Sequence, residues 1–143
     1  MDPVEQLPFW DVLTHDEKKI IERNAYVTHA GEGTVLFDPT QQPMIGMAYI
    51  RKGVARMYII DENGHELTLF RLYPGDSLVL TAADIMDRIT FSTQLVTEKE
   101  TEVLVVGKSI FTMLAKNSLP IREFMYRSIS EHLSTVMCVL RQL

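Results

Sequence analysis

The stretch MAYIRKGVARMYIIDENGHELTLFRLYPGD, residues 47–76, constrains this chain more than any other. Met47–Arg51 and Val54–Ile60 are rich in apolar and β-branched residues and flank the turn pair Lys52-Gly53. Leu67–Leu72 follows Asp61-Glu62-Asn63-Gly64, and Asn-Gly supplies the positive φ angles that a tight hairpin turn needs. Pro74-Gly75-Asp76 closes the run with another turn. Upstream, AYVTHAGEGTVLF at 25–37 alternates, turns at Gly-Glu-Gly and resumes as a short strand. Short strands joined by tight turns predict a mainly β fold, a sandwich or jelly roll, over residues 26–106. The strands do not alternate with helices, so a parallel α/β sheet is excluded.

Helices flank this region. Residues 9–24 are predicted to form one, with Thr14 as N-cap, Glu17 three residues on to complete a capping box, and Leu13, Ile20 and Ile21 as its apolar face. Asp16 and Glu17 suit the positive end of the helix dipole. Residues 108–143 read as two further helices. SIFTMLAKN ends near Asn117, and Pro120 then fits the first turn of a long helix. In that helix Tyr126, Ile129, Leu133, Val136, Leu140 and Leu143 are spaced alternately three and four apart, the seam of a coiled coil. Met125, His132 and Val139 lie on an adjacent face. A helix with two such faces can pack on its own roll and on a second copy, so a homodimer is expected.

Composition removes several function classes. The 143 residues form a single domain of ordinary size, 46% hydrophobic and 23% charged, as a globular chain requires. A net charge of −5 is a poor balance for a freestanding nucleic-acid binder, which needs a basic face for the phosphates. No apolar run reaches the ~20 residues of a membrane-spanning helix, and MDPVEQLPFW has neither the basic start nor the apolar stretch of a signal peptide. With one cysteine, Cys138, an intrachain disulfide and a multi-cysteine metal or iron–sulfur site are excluded, and a reducing, cytoplasmic setting is expected. Cys138 lies off the predicted seam and reads as a small hydrophobe.

The order of these elements resembles the effector domain of the CRP/FNR family of bacterial transcription regulators. The likeness rests on GEGTVLF at 31–37, YIRKGVARMYIIDENGHELTLFRLYPGDS at 49–77 and TEKETEVLVV at 97–106, with Ile50, Gly53, Gly64, Glu66, Leu69, Gly75 and Asp76 matching the family pattern in order. It implies a double-stranded β-helix, or jelly roll, of the cyclic-nucleotide-binding type, followed by a dimerisation helix. It also implies an effector pocket in the segment after Gly75-Asp76. Members that bind cyclic nucleotides carry there a Gly-Glu pair for the ribose and, further on, an arginine for the cyclic phosphate. Those positions fall here on Val79-Leu80 and on Phe91, while Arg88 stands three residues early, with Asp84 and Asp87 near it. The expected effector is therefore a small organic molecule and not a cyclic nucleotide. The candidate contacts are Ser77, Leu80, Thr81, Asp84, Arg88 and Phe91, with Arg88 as charge partner. The family's DNA-reading helix-turn-helix has no counterpart before Leu143, so DNA is expected to be met only through a domain outside this chain.

Two other readings stand beside this one. A double-stranded β-roll also resembles cupins, many of them metalloenzymes, which need a His-X-His pair and a carboxylate on one metal. His15, His29, His65 and His132 are not paired that way. No Walker loop, nucleophile elbow or GxGxxG is present, so no catalytic residue, metal or cofactor is expected. A haem would need axial ligands, and His29, His65 and His132 read instead as strand-face or helix-face residues. The third reading is a dimerisation module whose pocket is filled by its own Leu78, Leu80, Ile85, Met86 and Phe91.

Overall fold

The computed structural model describes residues 2–38, 45–79 and 92–142. Two 3-10 turns, Pro3–Gln6 and Trp10–Val12, lead into α1 (His15–Asn24). The helix expected over 9–24 begins only at His15. Thr14 holds an extended conformation there, its side chain accepting the Glu17 N–H while the Glu17 carboxylate accepts the Thr14 N–H at 2.8 Å. The apolar residues before it, Phe9, Trp10 and Leu13, are buried from 3-10 turns and not from a helical face.

Among the described residues eight strands follow: β1 (Tyr26–Ala30), β2 (Val35–Phe37), β3 (Ile45–Lys52), β4 (Ala55–Ile60), β5 (Glu66–Leu72), β6 (Ser77–Val79), β7 (Ser92–Thr97) and β8 (Thr101–Gly107). They pair antiparallel in two sheets, ordered β1-β8-β3-β6 and β2-β7-β4-β5. Helices α2 (Lys108–Asn117) and α3 (Leu119–Arg141) end the chain, with Pro120 in the first turn of α3 and Ser118 as its N-cap. The hairpin train of the sequence is β3, β4 and β5. Gly53 and Gly64 sit at φ +91° and +83° in its turns, where a side chain would strain the backbone. At Gly64 the turn is tightened by Asp61, whose carboxylate accepts the N–H groups of Asn63 and His65. The His65 hydrogen bond, ahead of the other contacts, holds the Asp61 carboxyl below its ordinary pKa.

The core has two layers. Between the sheets lie Ala48, Ile50, Leu78, Val103 and Val105 from one side and Phe37, Ala55, Met57, Leu69, Leu72 and Leu95 from the other. On the outer face of the first sheet, Met47, Val79, Leu104 and Val106 pack against Val4, Leu7, Phe9, Trp10, Ile21, Phe111, Leu114 and Ile121. Strand β8 is therefore buried on both faces, which is why its sequence runs apolar without alternation. Gly46 in β3 lets α2 approach closely, since a Cβ there would stand 2.7 Å from the Phe111 Cβ.

Candidate functional site

A cleft of about 480 Å³ opens between the β5–β6 corner and α3, with Pro8 at its edge. The corner is a rigid wall. Gly75 turns at φ +95°, the Asp76 carboxylate accepts the Tyr73 N–H at 2.8 Å, and the turn is bonded to β3 through Gly75 N–H to the Ile50 carbonyl and Ile50 N–H to the Asp76 carbonyl, both 2.9 Å. The Pro-Gly-Asp signal thus fixes where Phe70, Arg71, Leu72, Asp76 and Ser77 meet the cleft.

The facing wall is one side of α3. Phe124, Arg127, Ser128, Glu131, His132 and Thr135 line it at the three- and four-residue spacing that keeps side chains on one helical face. Phe124 is anchored edge-on against Phe9, ring centroids 5.0 Å apart. Across the cleft, the His132 ring stacks on Phe70 at 4.6 Å with the planes 24° apart. Burial depresses the His132 pKa, against the opposing influence of Glu131, a hydrogen bond to the Ser128 carbonyl, and Asp76. Arg71, at the cleft's edge, is paired with Glu98, Nε to Oε1 at 2.6 Å, and that hydrogen bond raises the Arg71 pKa and lowers that of Glu98. The wall therefore offers an aromatic pair, hydroxyls from Ser77, Ser128 and Thr135, the carboxylates of Asp76 and Glu131, and the guanidinium of Arg127.

Of the expected effector contacts, Ser77 lines this cleft. Leu80, Thr81, Asp84, Arg88 and Phe91 lie outside the described residues, as do Asp87, Ile85 and Met86. Leu78, one of the residues expected to fill a vestigial pocket, belongs instead to the core between the sheets. Among the described residues no group of three or more His, Cys, Asp or Glu side chains is placed to hold a metal ion. His29 and His65 are exposed beside Glu102 and Asp61.

The expected seam divides. Tyr126 and Leu133 are 62% and 59% exposed, Leu140 is also exposed, and Ile129 is half-buried. Val136 departs from the expectation: it packs with Val139 against the inter-sheet core. Met137, 59% exposed, stands in the open stripe in its place. Leu143 lies outside the described residues. Cys138 is exposed, not the buried or half-buried small hydrophobe expected. At 100° per residue the stripe Tyr126–Leu133–Met137–Leu140 and the cleft face Phe124–Ser128–Glu131–Thr135 lie on opposite sides of α3.

From this wall sequence reasoning singled out the Gly75-Asp76 turn, Ser77 as a contact and His132 as a face histidine. The polar and aromatic spacing 124-127-128-131-132-135 was the available signal for the rest. The apolar seam beside it is the stronger pattern and draws the reading to the other side of the helix.

The sequence matches the cyclic nucleotide-binding domain family over residues 27–118. No curated protein matches it significantly. Among solved structures it is similar to a protein assigned to the CRP/FNR family of transcriptional regulators from Eubacterium rectale, with 28% identity and a TM-score of 0.86 over 96% of this chain and 63% of that one. The chain thus spans under two thirds of that regulator's length. It shares the fold of the heme domain of CooA from Carboxydothermus hydrogenoformans (13% identity, TM-score 0.63, 95% of this chain and 94% of that one). It also shares the fold of a mutant regulatory subunit of a cAMP-independent protein kinase A from Trypanosoma brucei, bound to cAMP (15% identity, TM-score 0.65, 85% of this chain and 43% of that one).

Proposed function

The chain belongs to the cyclic nucleotide-binding domain family, and from that premise we propose that it is the effector-sensing, dimer-forming part of a cytoplasmic CRP/FNR-type transcription regulator. The observation that carries the reading is the double role of α3. One side of this helix forms a wall of the cleft, and the opposite side is a free apolar stripe. A ligand seated against the first side changes the position or tilt of the helix, and a second copy packed on the other side senses it. For that to happen the ligand must bind one helix position better than the other.

The effector is a small organic molecule other than a cyclic nucleotide. The likeness to a cAMP-bound regulatory subunit and to a heme domain supports a ligand-holding role for the fold without selecting the ligand. Two features argue against a cyclic phosphate. Leu80 and Phe91 stand where the resemblance would require a carboxylate and a guanidinium, and the Asp76 and Glu131 carboxylates on the cleft wall add like charge. Ser77 and Arg88 are assigned as contacts, Arg88 as the partner of any acidic group on the effector. Tyr126, Ile129, Leu133 and Leu140 are assigned to the dimer interface, with Met137 added and Val136 at its border. DNA contacts are assigned to none of residues 1–143.

Native mass spectrometry of the protein from its own host, with calorimetric titration of cAMP and cGMP, tests this. A dimer carrying a reproducible small-molecule adduct, with neither nucleotide binding, is the expected result. Arg88→Ala is then expected to weaken the identified ligand at least tenfold. Micromolar cAMP binding, or a monomer at all concentrations, overturns the corresponding half of the reading.

A further inference from the structure

The ring pair Phe70–His132 joins two parts of the molecule that the backbone leaves separate. Phe70 belongs to the edge strand β5, His132 to the middle of α3. Stacked at 4.6 Å, with the imidazole half-buried, the pair holds the helix onto the roll at the wall of the cleft. An imidazole in such a place has one property that a phenyl ring lacks: it gains a charge near neutral pH.

We infer that the Phe70–His132 pair is a proton-operated clasp, closed while His132 is neutral and opened when the imidazole takes up a proton. Among the described residues, the charged groups lining the cleft around the ring are Arg71 from β5, itself paired with Glu98, Asp76 from the β5–β6 corner, and Glu131 and Arg127 from α3. Glu131, a hydrogen bond to the Ser128 carbonyl and Asp76, which also accepts the Tyr73 N–H, favour the charged ring. Burial outweighs these influences and holds His132 below the ordinary imidazole value of 6.5. The docked ring prefers the neutral state, so docking is full above pH 6.5 and is lost as pH falls through the lowered value. Opening moves the imidazole toward water and widens the cleft. It also releases the helical turn that carries Leu133 on the opposite face, so acid acts on the cleft and the apolar stripe together.

The clasp shares the cleft with the effector reading but needs no effector, so either can fail without the other. The test is an NMR titration of the full chain between pH 5 and 8. The His132 Cε1–H signal is the one that disappears in His132→Phe, a variant that keeps a ring on Phe70 without a titrating group. The expected midpoint lies below 6.5, with the Phe70 ring signals and the amide exchange of residues 128–136 changing at that same midpoint, exchange becoming several-fold faster on the acid side. In His132→Phe the exchange stays level across the window. In Phe70→Leu the His132 midpoint rises toward 6.5. A midpoint at or above 6.5, a titration that leaves Phe70 and α3 unmoved, or an acid response that survives in His132→Phe would overturn the inference.

Discussion

Strand β8 and helix α3 are both rich in large apolar side chains, yet they meet opposite fates. In β8 every such residue is covered: Val103 and Val105 by the inter-sheet core, Leu104 and Val106 by the helices. In α3 Ile121 is buried and one face is covered, while Leu119, Tyr126, Leu133, Met137 and Leu140 are left in the open. A strand in the centre of a sheet has two faces and both can be occupied within one chain. A helix lying on the outside keeps a face that the described residues leave uncovered. The first arrangement stabilises the monomer, whereas the second adds little to it and supplies a surface for another molecule.

Substitutions separate these two cases, and the largest effect is expected in β8. Leu104→Ala should cost about 2–5 kcal/mol, as removal of a fully buried leucine side chain does, measured by urea unfolding at low protein concentration. A loss under about 1 kcal/mol would mean that the outer layer is not tightly packed. Gly46→Ala tests the same layer from β3: a Cβ facing Phe111 and the Gly107 carbonyl should cost roughly 1–3 kcal/mol through overpacking. Val136→Ala sits at the border between the covered and open faces and should cost about 1 kcal/mol, half-buried as it is. Leu133→Ala should change monomer stability by no more than ~0.5 kcal/mol, while sedimentation shows weaker self-association. A Leu133→Ala cost comparable with Leu104→Ala would erase the contrast.

These two regions were also unequally legible. The β8 strand was readable from its composition and its place before a helix, and the turns at Gly53, Gly64 and Gly75 from residue types that only a few backbone shapes accept. The start of α1 was half-readable. Thr14 and Glu17 marked the cap, but Phe9, Trp10 and Leu13 have spacings that suit a helix and a packed pair of 3-10 turns equally. On α3 the heptad spacing located the stripe, but not the shift from Val136 to Met137, which depends on how the helix is rolled against the inter-sheet core. The cleft was the least readable part. Phe70 and His132 are brought together only by the docking of α3 on β5, and nothing in either local sequence signals the other.

The pairing of β8 with both β1 and β3 has a consequence for how the chain comes into being. Tyr26 meets Val105, and Ala48 meets the same residue from the other side. The strand that completes the first sheet is thus the last strand synthesised, and it must enter between two that have been waiting. Until residue 107 leaves the ribosome, β1 and β3 have open hydrogen-bonding edges and an uncovered apolar surface. The nascent chain consequently folds late and through distant contacts, and its interval of greatest vulnerability to aggregation is the synthesis of the stretch between β3 and β8.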